Sequence, residues 1–277
     1  DATTQTGKLA IYTDTTTEAT LDKARSVLRD ESINRLFYGV DGLWYDTQDL
    51  ATMYQDASGT LPVYRPGTGL VDPPVGLMLD KSGRGNHASQ ATTTARPVLR
   101  ADEQGLHYLS FDGVDDYMTT LSALPPANDV TVIVGAKKGS NNRGMVVCGS
   151  GDAVATSNAY SIELPAASGT TLLCRARGTG TVRAVYGNVP DNYFCVASAE
   201  LSVATSKLRN NGALFATSTA SLGDGPITSG QLSIGGTPTG AVLFNGAFYG
   251  ALVSHNILGS AQLNVITQYM RNKTKAY

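Results

Sequence analysis

From Leu43 onward, apolar and polar residues alternate with a period of two, and turn residues interrupt the alternation roughly every eight to fifteen positions. This pattern constrains the fold more than any other feature, because successive strand residues point to opposite faces. Candidate strands run over His107–Phe111, Tyr117–Leu121, Val130–Ala136, Gly144–Cys148, Tyr160–Leu164 and Thr171–Ala176. More follow over Val182–Tyr186, Tyr193–Glu200, Ser206–Arg209, Ala213–Ser218, Gln231–Ile234 and Phe244–Ser254. Asn211-Gly212 separates two of them, and both residues tolerate positive φ, which is a hairpin signal. Asp112-Gly113 after Phe111 reads the same way. The series predicts a mainly β fold, a two-sheet antiparallel jelly-roll sandwich.

Both ends depart from this period. Lys8–Tyr12 reads as a short strand, and Glu18–Tyr38 takes helical spacing, with Leu21, Ala24, Leu28, Ile33, Leu36 and Phe37 on one side. That apolar side needs a partner, either its own domain or other copies of the chain. Gly39 and Gly42 end the helix. A second helix closes the chain, with Ser260 as its cap and Leu263, Ile266, Tyr269 and Met270 along one face. The Pro/Gly-rich stretch Gly59–Pro74 reads as an ordered surface strap rather than a sheet strand. Two regions result: residues 1–42, a strand and helix segment for docking or oligomerisation, and residues 43–277, the sandwich.

Composition excludes several classes. Charged residues are 16 % of the chain and the net charge is -2, which argues against a nucleic-acid partner. The longest apolar run, Val130–Ala136, is far short of the roughly 18 residues of a membrane span. Cys148, Cys174 and Cys195 lack CxxC spacing and read as three small buried hydrophobes. The chain starts at Asp1 without a signal-peptide core, as a processed product or fragment would.

The motifs Met78-Leu-Asp-Lys-Ser-Gly-Arg-Gly-Asn-His87 and Tyr108-Leu-Ser-Phe-Asp-Gly-Val-Asp-Asp-Tyr117 follow one another in that order. Leu232-Ser-Ile-Gly-Gly236 and Phe244-Asn-Gly-Ala-Phe-Tyr-Gly250 come late in the chain. This order resembles the concanavalin A-like lectin/glucanase jelly roll, in its laminin-G-like branch. Trp44-Tyr-Asp-Thr-Gln-Asp-Leu-Ala-Thr-Met-Tyr-Gln-Asp56 and the closing helix resemble the form found in bacteriophage virion and tail proteins. The resemblance covers roughly Leu43 to Tyr277 and leaves the first forty residues outside. It implies shared architecture, and a fold does not by itself give a function.

Catalytic groups are scarce. Glycoside hydrolysis takes two facing carboxyl groups, and hydrolases of the resembled family carry two glutamates and an aspartate alternating on one strand. The glutamates here are Glu18, Glu31, Glu103, Glu163 and Glu200, and none lies two or four residues from another. His87, His107 and His255 have no nucleophile elbow to serve. His87 reads as a loop histidine bonded to a neighbour such as Asp80. The expectation is that the chain is not an enzyme and takes no cofactor.

Calcium is the cation loop carboxylates suit. Asp112, Asp115 and Asp116 form the densest acidic cluster, and Asp80 with Asn86 a second candidate; a structural turn is the preferred reading of both. Glycan recognition takes aromatics to stack on sugars and Asp, Asn and Arg to bond hydroxyls. Asn142, Arg143, Asp191, Asn192, Tyr193 and Asn210 offer that mixture in loops, though each also suits an ordinary turn. Trp44 reads as a core anchor.

The resemblance implies a non-enzymatic structural protein on a phage particle surface: tail fibre, tail tip or decoration. Its partner would be a host-surface glycan or another virion protein, and it would be a homo-oligomer, by analogy a trimer. The alternative is a tail depolymerase that degrades polysaccharide.

Overall fold

A computed structural model describes residues 27–64, 72–139, 143–151, 157–165, 170–180, 182–190, 193–220 and 222–276. Its strands begin with β1 (Gly42–Asp46), β2 (Met53–Tyr54), β3 (Leu77–Met78), β4 (Ala88–Ser89), β5 (Val98–Ala101) and β6 (His107–Asp112). Next come β7 (Met118–Thr120), β8 (Val130–Lys138), β9 (Met145–Gly149), β10 (Ala159–Glu163), β11 (Thr171–Arg177) and β12 (Arg183–Asn188). β13 (Phe194–Leu201), β14 (Ser206–Asn210), β15 (Ala213–Ser218), β16 (Leu232–Ile234) and β17 (Asn245–Ser254) complete the series. Helix α1 occupies residues 27–34 and α2 spans Ser260–Thr274.

The strands form two sheets. The first runs β15-β14-β13-β8-β17-β6-β5, with β1 also paired to β17. The second runs β12-β11-β10-β9-β16-β7-β4-β3-β2. Every pair is antiparallel. This is the expected two-sheet jelly-roll sandwich. The long predicted strands lie where the alternation placed them. Strands β1 and β5 and the two-residue strands β2, β3 and β4 were not among those predicted: β1 is buried along its whole length and so shows no alternation, β5 is a short edge strand, and two residues are too few to show a period.

Between the sheets lies one apolar core. Val132, Val134 and Ala136 of β8 face Val147, Tyr160, Ile162, Cys174 and Ile234 of the second sheet. Ile133 points the other way, into a second cluster with Trp44, Val196 and Leu252 under Leu263, Ile266, Tyr269 and Met270 of α2. Strand β8 is therefore covered on both faces, which explains its continuous apolar run. Trp44 is fully buried, as a core anchor should be. Helix α2 lies close on β8: a Cβ on Gly135 would stand 2.5 Å from Thr274 Cγ2. Its cap is Gly259 rather than Ser260, and the Gly259 N–H donates to Gln262 Oε1 at 3.0 Å.

The N-terminal segment from residue 27 joins this second layer. Ile33 and Phe37 are buried against the α2 cluster, so that part of the helical face packs on its own domain. The division expected at Gly42 therefore has no counterpart in the packing of Ile33 and Phe37. Val27 and Leu28 stay exposed. The strand expected at Lys8–Tyr12 and the first part of the helix lie outside the described residues.

Buried charge fastens the layers. Asp46 of β1 accepts a hydrogen bond from Tyr269 Oη at 2.7 Å and pairs with Lys273 Nζ, both on α2. Lys81 Nζ lies 3.6 Å from Asp46, 2.8 Å from Asp49 and 3.1 Å from Asp30, tying α1 to β1. Burial alone would raise the Asp46 pKa; Lys273, Lys81 and Tyr269 outweigh it and hold the carboxyl below its ordinary value.

Two turn readings part company. Asn211 and Gly212 take positive φ and join β14 to β15 as a hairpin. Asp112-Gly113 does not make a hairpin. Strand β6 belongs to the first sheet and β7 to the second, so this turn carries the chain across the sandwich. Among the described residues no helix is long and apolar enough to cross a membrane.

Candidate functional site

A cleft opens at one margin of the sandwich, beside the edge strand β5. Leu50, Val63, Tyr64, Asp72, Pro73, Leu99, Arg100, Ala101 and His107 line about 240 Å³. The chain on either side of residues 65–71 frames it. Pro74 bridges to Val98 of β5, with the Leu99 N–H donating to Pro73 O at 2.9 Å. Pro62 bridges to Tyr54 of β2, the edge of the other sheet. Proline lacks the N–H of an inner strand, so its place at these margins follows from its chemistry.

The floor is apolar, with Val63 and Leu99 buried. Tyr64 is 62 % exposed and offers a ring to stack on. Arg100 Nη1 and Asp72 Oδ2 stand 3.5 Å apart, both half in solvent. The main chain of His107 is clamped by Gln48, whose Oε1 accepts its N–H at 3.1 Å and whose Nε2 donates to its carbonyl at 2.7 Å. Burial pulls the His107 pKa below its ordinary value, opposed by the charge of Asp102. The ring is therefore neutral at pH 7, with one nitrogen to donate and one to accept. An aromatic face, a cation, one carboxylate and an amphoteric ring over an apolar floor suit the edges and faces of a sugar.

The residues expected at a glycan site are not brought together here. Asn142, Asp191 and Asn192 lie outside the described residues. Arg143 sits against the second sheet, bound to Glu163 at 2.7 Å and 3.0 Å. Glu163 is fully buried and also takes Arg175 and the Ser161 hydroxyl, so this glutamate is spent on structure. On the first sheet, Asn210 Nδ2 donates to Tyr193 Oη at 2.7 Å, and Asn211 Nδ2 to the same oxygen at 3.2 Å. Asn210 is 5 % exposed, so its expected role as a surface contact is corrected: its amide braces Tyr193. Tyr64, Asp72, Arg100 and His107 were not expected as site residues. The Gly59–Pro74 strap, which contains Tyr64 and Asp72, was the available signal.

Asp112, Asp115 and Asp116 do converge, each with a carboxylate oxygen within 4.8 Å of the others. Asp112 Oδ1 accepts the N–H of Val114 at 2.7 Å, and Asp116 Oδ2 that of Asp112 at 3.0 Å, so the trio also braces its own turn. Burial pushes the Asp116 carboxyl up to about 6; the Asp112 N–H opposes this, and the charges of Asp112 and Asp115 add to it. Asp80 is differently occupied. Its carboxylate accepts the N–H groups of Trp44, Ser82 and Asn86 and the Ser82 hydroxyl, at 2.7–3.0 Å. The Asp80 N–H donates to His87 Nδ1 at 3.0 Å, so His87 is bonded to its neighbour's backbone. All three cysteines are buried thiols rather than halves of disulfides, and burial pushes the Cys195 thiol up to about 12.

No family model matches the chain, and no curated protein matches it in sequence. Solved structures share its fold. The binding domain of botulinum neurotoxin serotype D aligns at 9 % identity with a TM-score of 0.53, over 69 % of this chain and 48 % of that one. The serotype G binding domain gives 9 %, 0.51, 69 % and 48 %. Domain 4 of AbnA, a GH43 extracellular arabinanase from Geobacillus stearothermophilus solved with arabinotriose, aligns at 14 % identity with a TM-score of 0.52, over 68 % of this chain and 92 % of that domain. The chain thus spans about half the length of the neurotoxin domains. At such identities the likeness establishes the two-sheet β-sandwich fold and nothing finer.

Proposed function

We propose that this chain is a non-catalytic carbohydrate-binding protein, displayed on a bacteriophage particle as part of a tail fibre, tail tip or decoration, and that it recognises a host-surface glycan. The cleft carries this reading: it joins an exposed tyrosine, an Arg–Asp pair and a neutral histidine over an apolar floor. Among the described residues its lining includes one carboxylate, Asp72, where glycoside hydrolysis takes two. The AbnA domain was solved with a bound arabinose oligosaccharide, which favours a glycan over another virion protein as the partner. The phage assignment is supported by the order of sequence motifs.

The test is to incubate the chain with host-strain polysaccharide and measure retention and reducing ends together. Retention without new reducing ends is expected. Tyr64→Ala should weaken retention about tenfold, a typical loss for one aromatic platform, with an unchanged melting temperature. Reducing ends above background would favour the depolymerase alternative. A folded protein that no host polysaccharide retains would leave a virion protein as the partner.

A further inference from the structure

The motif Asp80–His87 supplies a second surface feature, distinct from the cleft. Leu79 to His87 is a loop held from within by Asp80, whose carboxylate binds the four donors named above. Asn86 Nδ2 also donates to Gly42 O at 2.7 Å. The loop is therefore preorganised, and it projects Arg84 outward. Arg84 donates to Phe37 O, which draws the loop against the turn that follows α1. Between loop and turn lies an open groove of about 380 Å³, lined by Glu31, Asn34, Arg35, Phe37, Tyr38, Ser82, Gly83 and Arg84.

Three properties of the groove point to one ligand chemistry. Tyr38 is 92 % exposed, a ring left almost wholly in water at an ordered position. A Cβ added to Gly83 would meet nothing within 4 Å, so the space beside the loop is open. Two cations, Arg35 and Arg84, face one anion, Glu31, which is 3.3 Å from Arg35 in an exposed pair that holds it only weakly. Asn34 adds a donor and an acceptor for hydroxyls. The arrangement is an aromatic platform beside a net positive charge.

We infer that this groove is a second carbohydrate site, selective for a sugar that bears a carboxylate. The ring face would stack on Tyr38, and the carboxylate would take charge-assisted hydrogen bonds from Arg84 and Arg35. The cleft beside β5 has its own cation already matched by Asp72, so the two sites would differ in the charge of the sugar they take.

The experiment is calorimetric titration of the full chain with galacturonate, glucuronate and N-acetylneuraminate oligosaccharides, each against its methyl ester. The ester keeps the sugar and removes the charge. At least one acid should bind about tenfold tighter than its ester, the scale of a charge-assisted hydrogen bond. Tyr38→Ala should lose that binding, Tyr38→Phe should keep it, and both should melt like the parent. Arg35→Met tests the charge without disturbing the Arg84 tie. Equal binding of every acid and ester, or an acid preference that survives both Tyr38→Ala and Arg35→Met, would overturn the inference. If Tyr64→Ala abolished the acid preference while Tyr38→Ala did not, the acid would sit in the cleft and the groove would be excluded, leaving the glycan reading of the cleft intact.

Discussion

Asp116 shows how much one residue's surroundings can change its chemistry. In the sequence it is one of two adjacent aspartates; in the fold it is buried beside Asp112 and Asp115, with its pKa at about 6. An unfolded aspartate titrates near 3.9. Between those values the folded state holds a proton that the unfolded state has lost, so this residue's contribution to stability grows as pH falls from 7 toward 4. Asp116→Asn should therefore raise the melting temperature by a few degrees at pH 7 and flatten its pH dependence from 4 to 7. The same melting curves, run with and without calcium, test the trio as a cation site. A calcium-dependent rise in the parent that Asp116→Asn abolishes would place the ion there; no rise would leave the three carboxylates as turn residues. Acidic density was legible in the sequence. The burial that sets the pKa was not, because it depends on chain distant in sequence.

At the scale of elements, the closing helix is the instructive case. Its apolar face was readable from Leu263, Ile266, Tyr269 and Met270. Its seat was not: Asp46 precedes Tyr269 by 223 positions, and the pairing of β1 with β17 beside β8, on which α2 packs, brings the two together. Burial already pulls the Lys273 amine down to about 8 against the charge of Asp46, so Asp46→Ala would leave a buried amine without the anion that supports its charge, at a cost of about 3–5 kcal/mol. Chemical denaturation should show that loss, and the double change Asp46→Ala with Lys273→Met should recover much of it. The lowered pKa of Asp46 fixes the pH window. Its contribution is full above the unfolded value near 3.9 and is lost as pH falls through the lower folded value. Denaturation curves should accordingly show the gap between parent and Asp46→Ala closing below pH 4. The strap teaches the same lesson. Its prolines predicted a surface segment, whereas the meeting of the β2 and β5 margins brings Val63, Tyr64, Asp72 and Pro73 into the lining of a cleft.

At the scale of the whole molecule, the predicted oligomer is open to direct measurement. Val27 and Leu28 stay exposed while Ile33 and Phe37 pack inward. The exposed pair supports the proposal that the N-terminal segment joins copies, with a trimer expected. Light scattering should give a multiple of 29.0 kDa for the full chain and the mass of a single chain for the double change Val27→Ser with Leu28→Ser; a monomeric mass for both would refute the trimer. The sequence by itself determined the fold class, the longer strands, the buried role of Trp44, the positive-φ turn at Asn211-Gly212 and the poverty of paired carboxylates. These are local properties: alternation, turn chemistry and residue type act over a few positions and leave their mark in order along the chain. Only the tertiary structure decided where side chains meet. It spent Arg143 and Asn210 on internal bonds, turned Asp112-Gly113 into a crossing between sheets, and joined Tyr64, Asp72, Arg100 and His107 in one cleft. The physical reason is that sheet neighbours in this sandwich are often far apart in sequence, so a site built across them has no spacing that a linear reading can detect.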